Sequence, residues 1–393
     1  MPLSHSELIQ TRSALLRLEA YVRKHDYRGY DPYDVLLSPI PFRSFGKWPP
    51  ILAIQIFKQN PFNLRKLIGV PRQWNPKALG LFLHAYSLLP PNDDNRQRCE
   101  WLFQKLLALR TPNVPGLAWG YPFPWASPEK YLPSWSPTSV VSAFVAQGIH
   151  AWYRTYRDPR ALQALGDVCT FITSALHHTP ISGASVAISY STLKPDFCYN
   201  ASLLAAETYA RNYSHTRDES LRQMATAALH AVLSRQKSDG SWNYSEDLHS
   251  GRQRVQIDFH QGFVLDSIMM IARCLELSDA TVENALQQGF HFYRTRQFTP
   301  EGRALWRVPA EFPADIHHQA QGIITSMRYH RHSGNEEALH MARQVLRYTL
   351  AHFQAPDGSF YYRKHRHFTD RTPYMRWANA WIMLAMAEAL CDT

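Results

Sequence analysis

Cysteine is scarce here: five occur in 393 residues, at positions 99, 169, 198, 274 and 391, none in a C-x-x-C spacing. An odd, scattered set supports neither a disulfide framework nor a zinc knuckle, so the thiols read as small buried apolar side chains. Long apolar runs are also missing. No stretch reaches the ~18 residues of a membrane-spanning helix, and the start, MPLSHSELIQTRSALLRLEAYVRKHDY, carries charges where a secretory leader would be apolar. The expected address is therefore the cytoplasm, without a membrane span. Lys/Arg blocks, an RNA-recognition motif and a helix-turn-helix signature are absent too, so nucleic acid is not the expected partner despite a formal charge of +10.

What is present is a globular composition, 45% hydrophobic and 19% charged, which excludes disorder and requires a real interior. Aromatic side chains reach 13%, with 11 Trp and 20 Tyr. Flat apolar faces with polar edges suit sugar rings, and the positive balance suits an acidic polymer.

Two out-of-phase series of turn signals organise the chain. Asp94, Asp158, Asp218, Asp279 and Asn335 mark one, and Gly116, Gly183, Gly240, Gly302 and Gly358 the other. Each recurs about every sixty residues, the sign of a repeat with two turns per unit. The sharpest copies are QKSDGSWNY (Gln236 to Tyr244) and QAPDGSFYY (Gln354 to Tyr362), with QFTPEGRALW a degraded copy between them. Between the turns, apolar residues such as Leu221, Ala225, Ala228 and Val232 fall at helical spacing.

The repeat predicts outer helices at roughly 5–24, 94–110, 158–177, 218–236, 279–297 and 335–354. It predicts inner helices at roughly 75–89, 137–156, 196–213, 258–276, 315–331 and 374–391. The second set is poor in charge, as in AWIMLAMAEAL, which suits helices covered on both sides. The expected fold is all-α: one (α/α)6 toroid over residues 1–393, with short aromatic hairpin-like loops on one rim and the N-terminal helix as sixth outer member. An open superhelix is the alternative. Residues 26–74, Pro-rich and aromatic, fall outside the repeat and read as a rim insertion with an extra helix in ILAIQIFKQNPFNLRKLIG.

In such a toroid the long outer-to-inner segments share one end, where inner-helix N-termini favour negative charge. A basic, aromatic-lined funnel is expected there. Its candidate residues are Asp196, Tyr199 and Asn200 at the third inner helix, and Asp258, His260 and Gln261 at the fourth. The fifth offers Asp315, His317 and His318, the sixth Arg376, Trp377 and Asn379, and the rim segment Asp31 and Asp34. Trp119, Tyr121, Trp125, Trp135, Trp242 and Tyr244 are candidate sugar platforms or apolar walls.

Plainer uses stand beside these. The DGSW and DGSF turns need Gly for positive φ and Asp to close onto backbone N–H, and Asp258 before an apolar run can be an N-cap. Adjacent histidines such as His317 and His318 point to different sides of a helix start, so neither a metal nor a cofactor is expected. The cluster of Arg363, Lys364, His365, Arg366 and His367 reads as a solvated basic patch.

The combination Q-x-x-DGSW-x-Y, I-D-F-H-Q-G-F-V-L-D and P-Y-M-R-W-A-N-A-W resembles the VpsJ-like exopolysaccharide biosynthesis proteins of the six-hairpin glycosidase-like superfamily, over most of residues 110–391. Ile257-Asp258-Phe259-His260-Gln261 is one residue shorter before the histidine than the family's stretch, with Gln for Thr. The resemblance implies the toroid, glycan involvement and a possible place in a polysaccharide-synthesis complex.

Three functions remain open. A glycoside hydrolase needs two carboxyl groups, for which Asp34, Asp196, Asp258 and Asp315 are available, and superfamily analogy puts it slightly ahead. A polysaccharide lyase or uronate epimerase needs a base and a group that neutralises a sugar carboxylate, for which His260, His318, Tyr199, Asn200 and Arg376 are available. A non-catalytic glycan-binding toroid would keep the aromatic lining without a tight acid/base cluster.

Overall fold

The computed structural model describes residues 3–128 and 130–391, so the extreme ends of the expected 1–393 span and residue 129 lie outside it. Its helices are α1 (His5–Lys24), α2 (Trp48–Gln59), α3 (Pro76–Leu88), α4 (Asp93–Ala108), α5 (Ser139–Tyr156), α6 (Pro159–Ala175) and α7 (Tyr199–Thr216), then α8 (Glu219–Leu233), α9 (His260–Leu275), α10 (Ala280–Gln297), α11 (Ile316–Ser333), α12 (Glu336–Phe353) and α13 (Trp381–Leu390). A π-helical turn, Met375–Ala380, leads into α13.

The sixty-residue Asp/Asn series is a series of outer-helix N-caps. Asn92, Asp158, Asp218, Asp279 and Asn335 each accept a first-turn backbone N–H with the side chain, and Ser4 does the same for α1 in a capping box with Glu7. Asp94, expected at the first turn, instead lies inside α4, and Asn92 takes its place.

Helices α3, α5, α7, α9, α11 and α13 form the inner ring, each against its neighbours, and α13 returns to α3. Outside them lie α4, α6, α8, α10 and α12, while α1 covers α13 and α12 as the sixth outer helix. The ring is closed. Its tightest seam is α3 against α5, where a Cβ on Gly148 would lie 2.3 Å from the Gly80 carbonyl oxygen and one on Gly80 2.8 Å from the Val145 Cα. Only glycine fits at that crossing.

The glycine turns lock each outer helix to the next unit. Gly240, Gly302 and Gly358 have φ of 86°, 90° and 90°, and a Cβ on any of them would strike backbone of α10, α12 or α1 respectively. Beside each turn an inner-helix amide holds a loop backbone N–H: Gln261 Oε1 takes that of Trp242, Gln319 Oε1 that of Ala304 and Asn379 Oδ1 that of Phe360. The plain reading of the DGSW element is the one the geometry supports.

Connections from inner to next outer helix are short and lie together at one end; the six outer-to-inner segments lie at the other. These carry only strands of two or three residues, such as Phe197–Cys198, Ser245–Glu246 and Gln253–Arg254 in one antiparallel sheet. The 26–74 segment folds over this end. Its Val35, Ile51, Ala53 and Ile54 form a small core with Ala126 of the 110–138 segment. Two ion pairs pin it, Arg65 to Asp34 at 2.5 Å within the strap and Arg376 to Asp31 at 2.5 Å into the ring.

Candidate functional site

At the long-loop end the inner-helix starts are partly covered by the rim insertion, with Asp31 on Arg376 and Tyr33 on Trp377. The strap and the segment 110–138 pack against them, and aromatic side chains crowd the surface there into one cluster, the aromatic crevice. The partly exposed rings of Tyr33, Tyr121, Tyr190, Tyr244 and Phe259 line it, with Trp377 and the His260 ring among them. A large open cavity, about 1050 Å³, lies at the opposite, short-turn end among Arg154, Arg211, Arg328 and Glu388.

His260 opens α9, its side chain 17% exposed. Its Nδ1–H donates to Asp258 Oδ1 at 2.5 Å, and its backbone N–H reaches the same oxygen at 3.2 Å. Asp258 is therefore both helix-start acceptor and partner of the imidazole. Gln256 Nε2 donates to its other oxygen at 2.8 Å, with Arg307 Nε at 3.7 Å. Burial pushes the carboxyl up, but the His260 charge and hydrogen bonds outweigh this and hold it below its ordinary range. With Nδ1 so occupied, the basic nitrogen of His260 is Nε2. Tyr244 meets the ring edge-on at 4.9 Å and Phe259 stacks on it at 4.2 Å.

Behind His260 are two neutral histidines. His318 donates Nδ1–H to the Leu305 carbonyl at 2.9 Å, its Nε2 is buried without a partner, and burial chiefly lowers its pKa to about 4. His317 lies between Phe259 at 4.3 Å and Trp381 at 4.5 Å with neither nitrogen hydrogen-bonded. Burial, then the charges of Lys77 and Arg376, pushes its pKa well below the usual imidazole value.

The candidate carboxylates are each engaged. Asp315 accepts from Arg363 Nε and Trp377 Nε1, both at 2.8 Å, and from the His317 backbone N–H. Asp34 is held by Arg65, and burial outweighs that cation to lift it to about 6. Asp196, on the rim, takes the Tyr190 N–H at 2.8 Å and faces Lys130 at 3.5 Å. Arg376 gives Nε and one terminal nitrogen to Asp31 and lies 5.0 Å from the Tyr121 ring centroid.

Several expected platforms belong to the walls instead. Trp119 and Trp242 are fully buried, their indole N–H groups on the carbonyls of Leu106 and Val232. Gln261 uses both ends of its amide on Trp242 backbone. Tyr199 is buried, its hydroxyl donating to Glu246 at 3.3 Å, and Asn200 is buried beside Cys198. Trp125 packs under the strap.

Lys77 was not singled out from the sequence. It opens α3, is 3% exposed, and places Nζ 4.0, 5.2 and 5.6 Å from the ring centroids of Phe144, Trp381 and Phe263. Burial, aided by Arg376 and opposed by Asp31, lowers its pKa well below the usual ammonium value. The signal was available: in PKALGLFLHAYSL it is the one formally charged residue of a helix otherwise without Lys, Arg, Asp or Glu.

His318 carries a stability prediction. Its folded pKa of about 4 lies below the ~6.5 of an unfolded histidine, so the stabilisation it gives is present above pH 6.5 and is lost as pH falls toward 4. Between pH 7 and pH 5 this one group is expected to remove about 2 kcal/mol. Urea midpoints at the two pH values should show it, and His318→Asn, which keeps a donor for Leu305, should lose about that much of the pH dependence.

No family model matches the chain, and no curated protein matches it. Solved structures do. A cellobiose 2-epimerase from Bacillus thermoamylovorans is 12% identical, with TM-score 0.66 over 82% of this chain and 90% of its own. An unsaturated glucuronyl hydrolase from Bacillus sp. GL1 is 12% identical, with TM-score 0.63 over 96% of each chain. A GH76 α-mannanase from Bacteroides thetaiotaomicron is 13% identical, with TM-score 0.63 over 81% of this chain and 85% of its own. At such identities the likeness shows the fold: an (α/α)6 toroid shared with carbohydrate-active enzymes.

Proposed function

We propose that this chain, acting as one strapped toroid, is a carbohydrate-active enzyme that moves a proton at a sugar carbon next to a carbonyl or carboxylate, as an epimerase or lyase does. The observation that carries the reading is the Asp258–His260 pair. It is an oriented base open to an aromatic crevice, whereas Asp34, Asp196 and Asp315 are each held by a cation. Two-carboxylate hydrolysis needs two acids facing one bond. Proton abstraction needs one base and a positive group beside the developing charge.

In this reading His260 Nε2 takes the proton, and Asp258 holds the ring and stabilises the imidazolium that forms. Arg307 and the Nη1 of Arg376, which makes no hydrogen bond among the described residues, offer positive charge to the substrate's carbonyl or carboxylate oxygen. Tyr121, Tyr190 and Tyr244 supply sugar-stacking faces. Cellobiose 2-epimerases among the structural neighbours give the chemistry a precedent on this fold, and the net charge favours an acidic glycan such as an exopolysaccharide.

Panels of reducing disaccharides and uronate polymers, incubated in deuterium oxide and followed by proton NMR and ultraviolet absorbance, test this. Deuterium at the carbon beside the carbonyl, an epimer, or an unsaturated product is expected. New reducing ends without deuterium incorporation or unsaturation would put hydrolysis in its place.

A further inference from the structure

The strap over the crevice has a surface that nothing in the fold covers. Phe45, Trp48, Leu52, Ile56, Phe62 and Leu67 are between 54% and 81% exposed. Trp48, Leu52 and Ile56 follow one another at i, i+4 and i+8 and so make one stripe along α2. The opposite side of the same helix, Pro50, Ile51, Ala53 and Ile54, is buried in the strap's own core. The strap thus has enough apolar residues to hold itself together and as many again facing out. Apolar residues clustered in this way mark an interaction site, unlike scattered exposed ones.

Along the strap's own sequence the charge is of one sign. Between Asp34 and Asp93 the chain has no acidic residue, while Arg43, Lys47 and Lys66 are exposed; Lys58, partly exposed, turns to the core side of α2 with Nζ 4.8 Å from the Tyr33 ring centroid. Arg65, the other nearby cation of the strap, is buried on Asp34 and takes no part. A second copy of this chain would bring the same cations face to face, which disfavours a symmetric dimer through this surface. An anionic lipid surface meets both needs, with headgroups for the cations and an acyl boundary for Trp48, Leu52 and Ile56.

We propose that the strap is a membrane-interface anchor: α2 lies in the plane of an anionic bilayer, its Trp48–Leu52–Ile56 stripe entering the headgroup boundary. This is attachment to a surface. Among the described residues no helix is long and apolar enough to cross a membrane. Tyr33, at the base of the strap, also stands against Trp377 of the crevice wall, so the surface that would meet lipid and the crevice share one end of the toroid. A glycan carried on a lipid would be presented there. The anchoring itself does not depend on which reaction the crevice performs.

Flotation of the full chain with vesicles tests the proposal. Binding is expected to phosphatidylcholine/phosphatidylglycerol vesicles at low salt, with at least tenfold weaker binding to phosphatidylcholine alone or in 0.5 M KCl. Leu52→Glu/Ile56→Glu, at positions more than half exposed, should cut binding at least tenfold with an unchanged unfolding midpoint. Lys47→Gln/Lys66→Gln should reduce the anionic preference and serves as a second variant that leaves the apolar stripe intact. The proposal is overturned if the wild type fails to float with anionic vesicles, or if the Glu variant floats as well as the wild type. It is equally overturned if sedimentation shows a dimer, lost in the Glu variant, in place of vesicle binding.

Discussion

His260→Asn is expected to lower turnover by about 10²–10⁴-fold, the range a positioned general base contributes, with little change in stability. Asn can keep a donor where Nδ1 stood, so Asp258 retains a hydrogen bond while the basic Nε2 is removed. The companion Asp258→Asn leaves the imidazole in place but takes away the acceptor that fixes its tautomer, and a loss of at least ~10²-fold is expected. Steady-state rates on the substrate found by the panel, with the unfolding midpoint measured on the same samples, check both. Full activity in either variant would remove the pair from the chemistry.

Arg376→Met should have the largest effect on stability. It leaves Asp31, 5% exposed, without the guanidinium that meets it at two nitrogens, and breaking one side of a buried ion pair costs about 3–5 kcal/mol. Adding Asp31→Asn should restore a large part of the loss, since the second change removes the stranded charge. Urea midpoints of the two single variants and the double variant give the coupling directly. Limited proteolysis should at the same time show faster cutting within 28–75 in Arg376→Met, because that pair fastens the strap to the ring. A strap as resistant as in the wild type would mean that Arg65–Asp34 and the small apolar core hold it alone.

The architecture was legible because its signals are local and repeated. An Asp or Asn at five of the six outer-helix starts, a glycine whose φ excludes other residues, and an inner series almost free of charge are properties of short segments, and they recur. Helix α4 shows the resolution of such reading: Asp94 and Asn92 are equally good caps on paper, and only the backbone decides between them. Asp258 and His260 were likewise visible as candidates at one helix start, but their contact was not, because residues two apart do not face each other along a regular helix; only the folded backbone brings Nδ1 onto Oδ1.

What was hidden depends on distance along the chain. Asp31 looked like a free acid because its partner lies 345 residues away. Asp315 looked catalytic because neither Arg363 nor Trp377 is local to it. Residues 26–74 were legible as a rim insertion able to narrow a groove, but nothing in them says which way the strap folds over the helix starts. Trp119 and Trp242 were read as platforms because tryptophan suits both a sugar and a wall.

The sixth hairpin pairs α1 outside with α13 inside, with roughly 350 residues between them. On a ribosome adding about 5–20 residues per second, the first helix emerges some 20–70 s before the partner that will cover its apolar side. Until then five hairpins form an arc with bare flanks, and the strap lacks its Asp31 fastening, since Arg376 belongs to the same late segment. Birth of the protein is thus a wait followed by a single locking event, and a chain cut short before Met375 would be left with a permanently gaping ring for chaperones or proteases to find.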